Sequence, residues 1–109
     1  MSYDVSIGDQ SFNYTSNVSK LWYDHICDSG KGGGLHELHG LTGKEAVALL
    51  GEAFSRIDDA CFGNGRDHAF FSQYDAANGW GSAYGGLLFM ARIMTACAKN
   101  PRKKVHVYA

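Results

Sequence analysis

The first fifteen residues alternate apolar and polar side chains around a glycine, and this pattern constrains the fold more than any other feature of the chain. A two-residue turn at Gly8-Asp9 pairs Ile7 with Gln10 and fixes the register of both flanking strands. In that register the large apolar side chains share one face, and they are Tyr3, Val5, Ile7, Phe12 and Tyr14. The sequence therefore predicts a β-hairpin over residues 3–15 with one buried side.

Helical spacing of apolar residues predicts helices over about residues 17–27, 43–61 and 82–99, and a further short helix over 67–74. Thr42 and Glu45 have the capping-box spacing that begins a helix. Gly51 lies inside the second helix at a cost of about 1 kcal/mol relative to alanine, which predicts the close approach of another backbone. For the last helix the predicted apolar face consists of Leu87, Met90, Ala91, Met94, Cys97 and Ala98.

Val105 and Val107 alternate with polar residues and predict a strand over 103–108. Strands at both ends of a chain with helices between them are most simply packed as one sheet covered by the helices. The predicted fold is therefore α+β, with a small antiparallel sheet of hairpin plus C-terminal strand packed in two layers on three to four helices. The chain of 109 residues is expected to form a single domain, 1–109.

The cysteines and the apolar runs bear on the compartment. Cys27, Cys61 and Cys97 are an odd number without a CxxC pair, and the N-terminus does not resemble a signal peptide. Nor does any apolar run approach the roughly 20 residues of a membrane span. These features favour a cytoplasmic protein, with Cys61 and Cys97 packed as small hydrophobic residues on their helices.

Residues 30–40, GKGGGLHELHG, are the stretch that looks most like a catalytic or binding loop. Neither the P-loop spacing nor the dinucleotide fingerprint fits it. His36 and His39 miss the H-E-x-x-H zinc spacing by one residue, although His25 and Cys27 could add ligands. The favoured interpretation is a flexible polar connection outside the core, with no cofactor, and a metal site is the weaker alternative.

No group of residues meets a catalytic spacing. Ser82 lacks the glycines of the G-x-S-x-G elbow and is better placed as a helix cap. Asp58 and Asp59 are adjacent on a helix, so their carboxylates point in different directions. We therefore predict no catalytic residue, although this leaves enzyme function undecided.

Aromatic and amide side chains remain as candidates for recognition. Tryptophan, tyrosine and asparagine supply rigid contact area and adaptable hydrogen bonds at binding surfaces. The predicted binding residues are Trp80, Tyr84, Asn78, Asn17 and Trp22. The alternative is that both tryptophans fill the core of a small domain.

A basic cluster occupies one short connection and consists of Lys99, Arg102, Lys103 and Lys104. A net charge of −1 argues against a dedicated nucleic-acid binder, because phosphate contacts require clustered cations. The simplest interpretation is a solvated loop that follows a helix C-terminus. This cluster is the only indication of nucleic-acid binding in the sequence.

Three stretches, DVSIG followed by SFNYTSN, GLTGKE and NGWGS, resemble a group of small uncharacterised proteins of bacteria and their phages. The resemblance implies a phage or prophage setting and carries no known activity or site residue. In such a setting small compact proteins often act by binding a host component.

The leading hypothesis is a small non-enzymatic protein that binds a protein partner, as a monomer or a homodimer. A second hypothesis is a small-molecule binder whose glycine-rich loops close over a ligand. A third is a metal-dependent hydrolase that uses His36 and His39.

Overall fold

The computed structural model describes residues 2–62 and 70–109 and has a three-stranded antiparallel sheet and four α-helices. The predicted α+β class is thereby confirmed. In chain order the elements are β1 (Ser2–Ile7), β2 (Gln10–Thr15), α1 (Ser19–His25), α2 (Gly43–Phe62), α3 (Phe70–Tyr74), α4 (Ala83–Lys99) and β3 (His106–Tyr108). Short 3-10 helices at Ser16–Val18 and Gly34–Leu38 join them. None of the helices in the described part of the chain is both long and apolar enough to span a membrane.

The hairpin of β1 and β2 has the register that the sequence predicts. Ile7 faces Gln10, and the pairing continues without a bulge to Ser2 opposite Thr15. Gly8 has a φ of +57° at the first position of the turn, whereas Asp9 has a negative φ, a combination found in type II′ turns. The apolar side chains of β1 are buried on one face of the sheet, which confirms the predicted polarity of the hairpin.

The C-terminal strand is shorter than predicted, since β3 covers only residues 106–108 of the expected 103–108. The chain just before it pairs with a different partner. Val105 donates its backbone N–H to the Leu41 carbonyl at 2.8 Å and accepts from the Gly40 N–H at 2.9 Å, and Lys104 forms an isolated bridge with Thr42. The segment 40–42 therefore runs beside the chain that leads into β3.

The ends of α1, α2 and α4 lie within two residues of the predicted ends. The predicted helix over 17–27 begins as the 3-10 turn and continues as α1. In the capping box Glu45 donates its N–H to Thr42 Oγ1 at 3.3 Å and accepts from the Thr42 N–H at 3.0 Å. That backbone hydrogen bond lowers the pKa of Glu45. Of the predicted helix 67–74, residues 67–69 lie outside the described residues.

The core lies between one face of the sheet and the helices, and Trp22 occupies its centre. This indole is fully buried. The rings of Tyr3 and Phe89 lie 5.2 and 5.8 Å from it between centroids, and Tyr14 lies at 6.5 Å. Aromatic rings in such edge and tilted arrangements contribute roughly 0.5–1.5 kcal/mol per pair beyond the area they bury.

The buried face of α4 is rotated relative to the predicted one. Ala91 and Ala98, both expected in the core, are exposed, whereas Phe89 and Ile93 are buried. The large side chains bury more apolar area than alanine, and they set the rotation of the helix. As predicted, Cys61 and Cys97 are buried among apolar residues, and burial raises the pKa of the Cys97 thiol to about 11.

The glycine tract is not the external connection that we predicted. Leu35 and Leu38 are fully buried in the 3-10 helix, and Glu37 between them is 2 % exposed. A spacing of three residues puts both leucines on one side of a 3-10 helix. Only residues 30–32 and 39–40 of the tract are exposed.

The two glycines of α2 have opposite environments. A Cβ at Gly51 would meet only the Met94 methyl at 3.9 Å, so the expected close approach of a backbone is wrong. A Cβ at Gly43 would lie 2.2 Å from the Asn100 carbonyl oxygen and 2.4 Å from that of Cys97. The close approach of two backbones thus occurs at the first residue of α2.

We expect Gly51→Ala to raise the free energy of unfolding by about 1 kcal/mol, because alanine removes the helix-interior penalty of glycine without a clash. Gly43→Ala should lower it by roughly 3 kcal/mol through overpacking against fixed backbone. Equilibrium urea unfolding of both variants measures the two effects. Similar changes for the two variants would contradict this account of α2.

Candidate interaction surface

The start of α4 is fastened to the sheet and to the preceding loop by polar contacts. Ser82 caps the helix, since its Oγ accepts from the Gly85 N–H at 3.0 Å. The Ser82 N–H donates to Tyr14 Oη at 3.0 Å, and the Ala83 N–H donates to Asp75 Oδ1 at 2.8 Å. β2 and the loop that precedes α4 therefore both fix the position of this helix end.

Glycine at position 85 makes the contact between α4 and β2 possible. A Cβ there would lie 2.1 Å from Tyr14 Oη. One residue later, a Cβ at Gly86 would lie 2.9 Å from Leu21 Cδ2. The two glycines let α4 approach β2 and α1 at once, at the cost of their lower helix propensity.

The loop before α4 holds Trp80 with its backbone bound and its side chain exposed. Asn78 Oδ1 accepts from the Trp80 N–H, and Asn17 Nδ2 donates to the Trp80 carbonyl, both at 3.0 Å. Gly81 follows with a φ of +117°, and a Cβ there would lie 2.5 Å from Thr15 Cγ2. The Trp80 side chain is nevertheless 73 % exposed.

Exposed apolar side chains continue from Trp80 along the outer face of α4. Tyr84 is 65 % exposed and Leu88, one turn further, is 40 % exposed. Beside them α4 and β2 form a groove of about 320 Å³, which we call the α4 groove. Its lining consists of Gln10, Phe12, Leu88, Ala91, Arg92, Thr95, Ala96 and Lys99.

The lining of the α4 groove combines apolar side chains with two positively charged ones. Arg92 and Lys99 are exposed and line it, and no carboxylate of the described residues does so. Within the described ranges the ion pairs are Lys20 with Asp24 and Arg56 with Glu52, so neither groove cation has an acidic partner. The groove with Trp80 and Tyr84 is called the α4 surface below.

The structure brings together four of the five residues that the sequence singled out for binding. Asn17 and Asn78 hold the backbone of Trp80, and Tyr84 follows on α4. Trp22 was assigned to the same patch, and this assignment is wrong because the side chain is fully buried in the core. Trp22 instead packs against Phe89, on the buried face of α4.

Each of the three histidines of the alternative metal site contacts a different part of the fold. His25 is buried in α1 and donates from Nδ1 to the Leu21 carbonyl at 2.7 Å. The ring of His36 lies 5.6 Å from that of Tyr3, and His39 Nδ1 accepts from the Val107 N–H at 3.0 Å. Cys27 is exposed. No group of three metal-binding side chains occurs among residues 2–62 and 70–109.

Glu37 gives the glycine tract its shape. Its carboxylate accepts from the hydroxyl and the N–H of Ser29, the latter at 2.9 Å, and from the Gly33 N–H at 3.0 Å. These donors, the Ser29 hydroxyl above all, lower the pKa of Glu37. Lys31 Nζ donates to the His39 carbonyl at 2.9 Å and closes the loop. The tract is therefore bound back onto the domain.

Sequence reasoning missed the groove itself and Arg92, one of the two basic residues that line it. Arg92 interrupts an apolar run, a pattern that does not indicate a binding residue, and the alternation of the hairpin places Phe12 only on its apolar face. The signal that was present is the spacing of residues 84, 88, 92, 95 and 99, which lies on one face of a helix. Nothing in that spacing shows that β2 lies beside it.

Comparisons with protein-family models, with curated proteins and with solved structures give no match to this chain.

We expect Glu37→Gln to lower the free energy of unfolding by about 1–3 kcal/mol near neutral pH, because the buried carboxylate accepts three hydrogen bonds. The folded-state pKa of Glu37 is lowered, so this stabilisation is complete above the ordinary value of about 4.3. It is lost as the pH falls through the lower folded-state pKa. The difference between wild type and variant should therefore shrink in acid.

Urea unfolding at several pH values measures this difference. Glu52→Gln is the matched control, since Glu52 is exposed and its nearest cation, Arg56, lies at 3.7 Å. We expect almost no change there. An equal loss for both variants would show that Glu37 does not organise the tract.

Proposed function

We propose that the protein is a non-enzymatic interaction protein that binds a partner protein through the α4 surface. The observation that carries this proposal is the exposure of Trp80 and Tyr84 on backbone that is held in place on both sides. A large exposed aromatic side chain on mobile backbone would not by itself indicate a binding surface. Here four hydrogen bonds, one of which caps α4, hold the backbone that carries the two rings in position before any partner arrives.

The composition of the α4 surface is that of a binding hot spot. Tryptophan, tyrosine and arginine dominate the residues whose truncation weakens protein complexes most. Trp80, Tyr84 and Arg92 supply one of each. Because their backbone is already ordered, binding does not include the entropic cost of ordering a loop, which would otherwise add to the cost of association.

A small-molecule binder is the second candidate, and the α4 groove favours it to a limited degree. Its volume of about 320 Å³ lies at the lower end of the range for ligand sites. Our sequence-based version of this hypothesis, in which the glycine tract closes over a ligand, has no support from the contacts of Glu37 with Ser29 and Gly33. Such a ligand would have to be anionic, to match Arg92 and Lys99.

The partner and the setting of the protein are also part of the proposal. The resemblance to small proteins of bacteria and phages makes a bacterial protein the expected partner, and the three free cysteines fit a cytoplasmic location. A homodimer through the same surface is the alternative to a foreign partner. Nucleic acid remains the less favoured ligand at a net charge of −1.

We expect a photoreactive phenylalanine analogue at position 84 to form a crosslink to the partner in bacterial lysate, whereas the same analogue at position 108 should not. Tyr108 is the matched control because it is 61 % exposed but lies on β3. Mass spectrometry of the crosslinked product then identifies the partner, and a homodimer appears as a product of doubled mass.

With the identified partner, Trp80→Ala and Tyr84→Ala should each raise the Kd by about 10–100-fold, as expected for hot-spot truncations. Tyr108→Ala should leave it unchanged. The melting temperature should stay close to wild type in all three variants, because these side chains are exposed. Unchanged affinity with lower melting temperatures would mean that the rings act in folding, and the proposal would be wrong.

A further inference from the structure

We propose that the α4 groove and the free edge of β2 together bind an extended, acidic segment of the partner protein, which joins the sheet as an additional strand beside β2. This inference rests on the proposed function and specifies the partner chemistry. It combines an unpaired strand edge, a groove beside that edge and two cations that have no acidic partner among the described residues.

β2 forms an outer edge of the sheet, because the strand order is β2-β1-β3. Natural proteins protect such edges with lysine, proline, bulges or very short strands. β2 is six residues long, reads QSFNYT and pairs with β1 without a bulge. It carries neither a charge nor a proline, so its edge has none of the usual features that prevent pairing with another strand.

The opposite edge of the sheet is occupied. Alongside β3, Val107 donates its N–H to His39 Nδ1 at 3.0 Å, and Val105 exchanges two backbone hydrogen bonds with residues 40 and 41. The His39 side chain therefore occupies the outward N–H of β3 and the chain just before β3 is paired, whereas no strand of the described residues pairs with the outer edge of β2. This contrast makes β2 the place where the sheet can accept a strand.

Particular backbone groups of β2 point to the open side. In an antiparallel pair, hydrogen-bonded and non-hydrogen-bonded residues alternate. The turn is closed by Ile7 and Gln10, so Phe12 and Tyr14 also bond to β1. The N–H and C=O groups of Ser11 and Asn13 then face the free edge and can bind a further strand.

The α4 groove lies where the side chains of that strand would go. An added strand would lie about 4.8 Å from β2, with every second side chain on the face that carries Phe12. Together with Phe12, the groove is lined by the apolar residues Leu88 and Ala91 and by the cations Arg92 and Lys99. Apolar side chains of the added strand would contact Leu88 and Ala91. Its carboxylates would contact Arg92 and Lys99.

Charge complementarity favours a foreign acidic segment over a second copy of this chain. Pairing of two β2 edges would bring together two grooves, each lined by Arg92 and Lys99 and by no carboxylate of the described residues. Like charges at an interface suppress such pairing. A single-stranded nucleic acid would use the cations but would leave the backbone groups of Ser11 and Asn13 without partners.

The experiment uses a random-peptide library displayed on phage and selected against the intact protein. We expect the enriched sequences to alternate apolar residues with aspartate or glutamate. A selected peptide with N-methyl groups on the backbone amides that face β2 should bind roughly tenfold more weakly, whereas methylation of the alternate amides should have little effect. This readout leaves the protein unaltered, so misfolding cannot produce it.

Protein variants provide the complementary test with the same peptide. Ser11→Pro removes an outward N–H, a change that an edge strand tolerates, and Ser11→Ala is its control because it keeps that group. We expect roughly tenfold weaker binding for Ser11→Pro only. Arg92→Glu should also weaken binding of the acidic peptide at least tenfold, whereas Lys44→Glu, an exposed residue of α2, should not.

The outcomes separate this inference from the proposed function. Peptides that depend on Trp80 and Tyr84 but tolerate every N-methylation would overturn strand addition and leave the α4 surface as the binding site. Peptides indifferent to Trp80 and Tyr84 would contradict the proposed function. No enrichment, neutral or basic enriched sequences, a β2-linked homodimer, or full competition by a short oligothymidylate would each overturn the acidic-strand proposal.

Discussion

The contact between Tyr14 and the first turn of α4 determines much of the architecture. The Tyr14 hydroxyl accepts from the Ser82 N–H and lies where a side chain at position 85 would otherwise be. The same ring lies 5.7 Å from Phe89 and 6.5 Å from Trp22 between centroids. One side chain of β2 thus joins the helix start to the aromatic core, and the distance between α4 and β2 follows from it.

Local sequence rules predicted the elements whose structure is decided within a few residues. The hairpin register followed from Gly8-Asp9 and strict alternation, and the start of α2 followed from Thr42 and Glu45. These features depend on turn geometry and on hydrogen bonds between neighbours. They were correct because no distant part of the chain competes with them.

The incorrect predictions concern residues whose role is decided by distant partners. The 3-10 helix from Gly34 to Leu38 is stabilised because its two leucines are buried in the core and Glu37 accepts hydrogen bonds from the preceding loop. Trp80 and Tyr84 were chosen for their residue type, but only the packed structure shows that they are exposed while Trp22 is buried. The α4 groove needs two elements far apart in sequence, so no single pattern could predict it.

Two buried polar groups, the Glu37 carboxylate and Trp22 Nε1, differ in their hydrogen bonding. The Glu37 carboxylate is surrounded by donors, whereas Trp22 Nε1 has no hydrogen-bond acceptor among the described residues. An unsatisfied buried N–H costs about 1–3 kcal/mol. The rings of Tyr3, Tyr14 and Phe89 around the indole offset part of that cost through their packing.

The sheet is closed along β3 and open along β2, and this asymmetry limits how far any assembly built on it can extend. A filament built by strand addition requires two open sheet edges on every subunit, one for each neighbour. Residues 2–62 and 70–109 leave one such edge open, at β2, so strand addition there would end after a single step. The proposed complex with an added strand at β2 would therefore have a fixed, small stoichiometry and would not propagate into a filament.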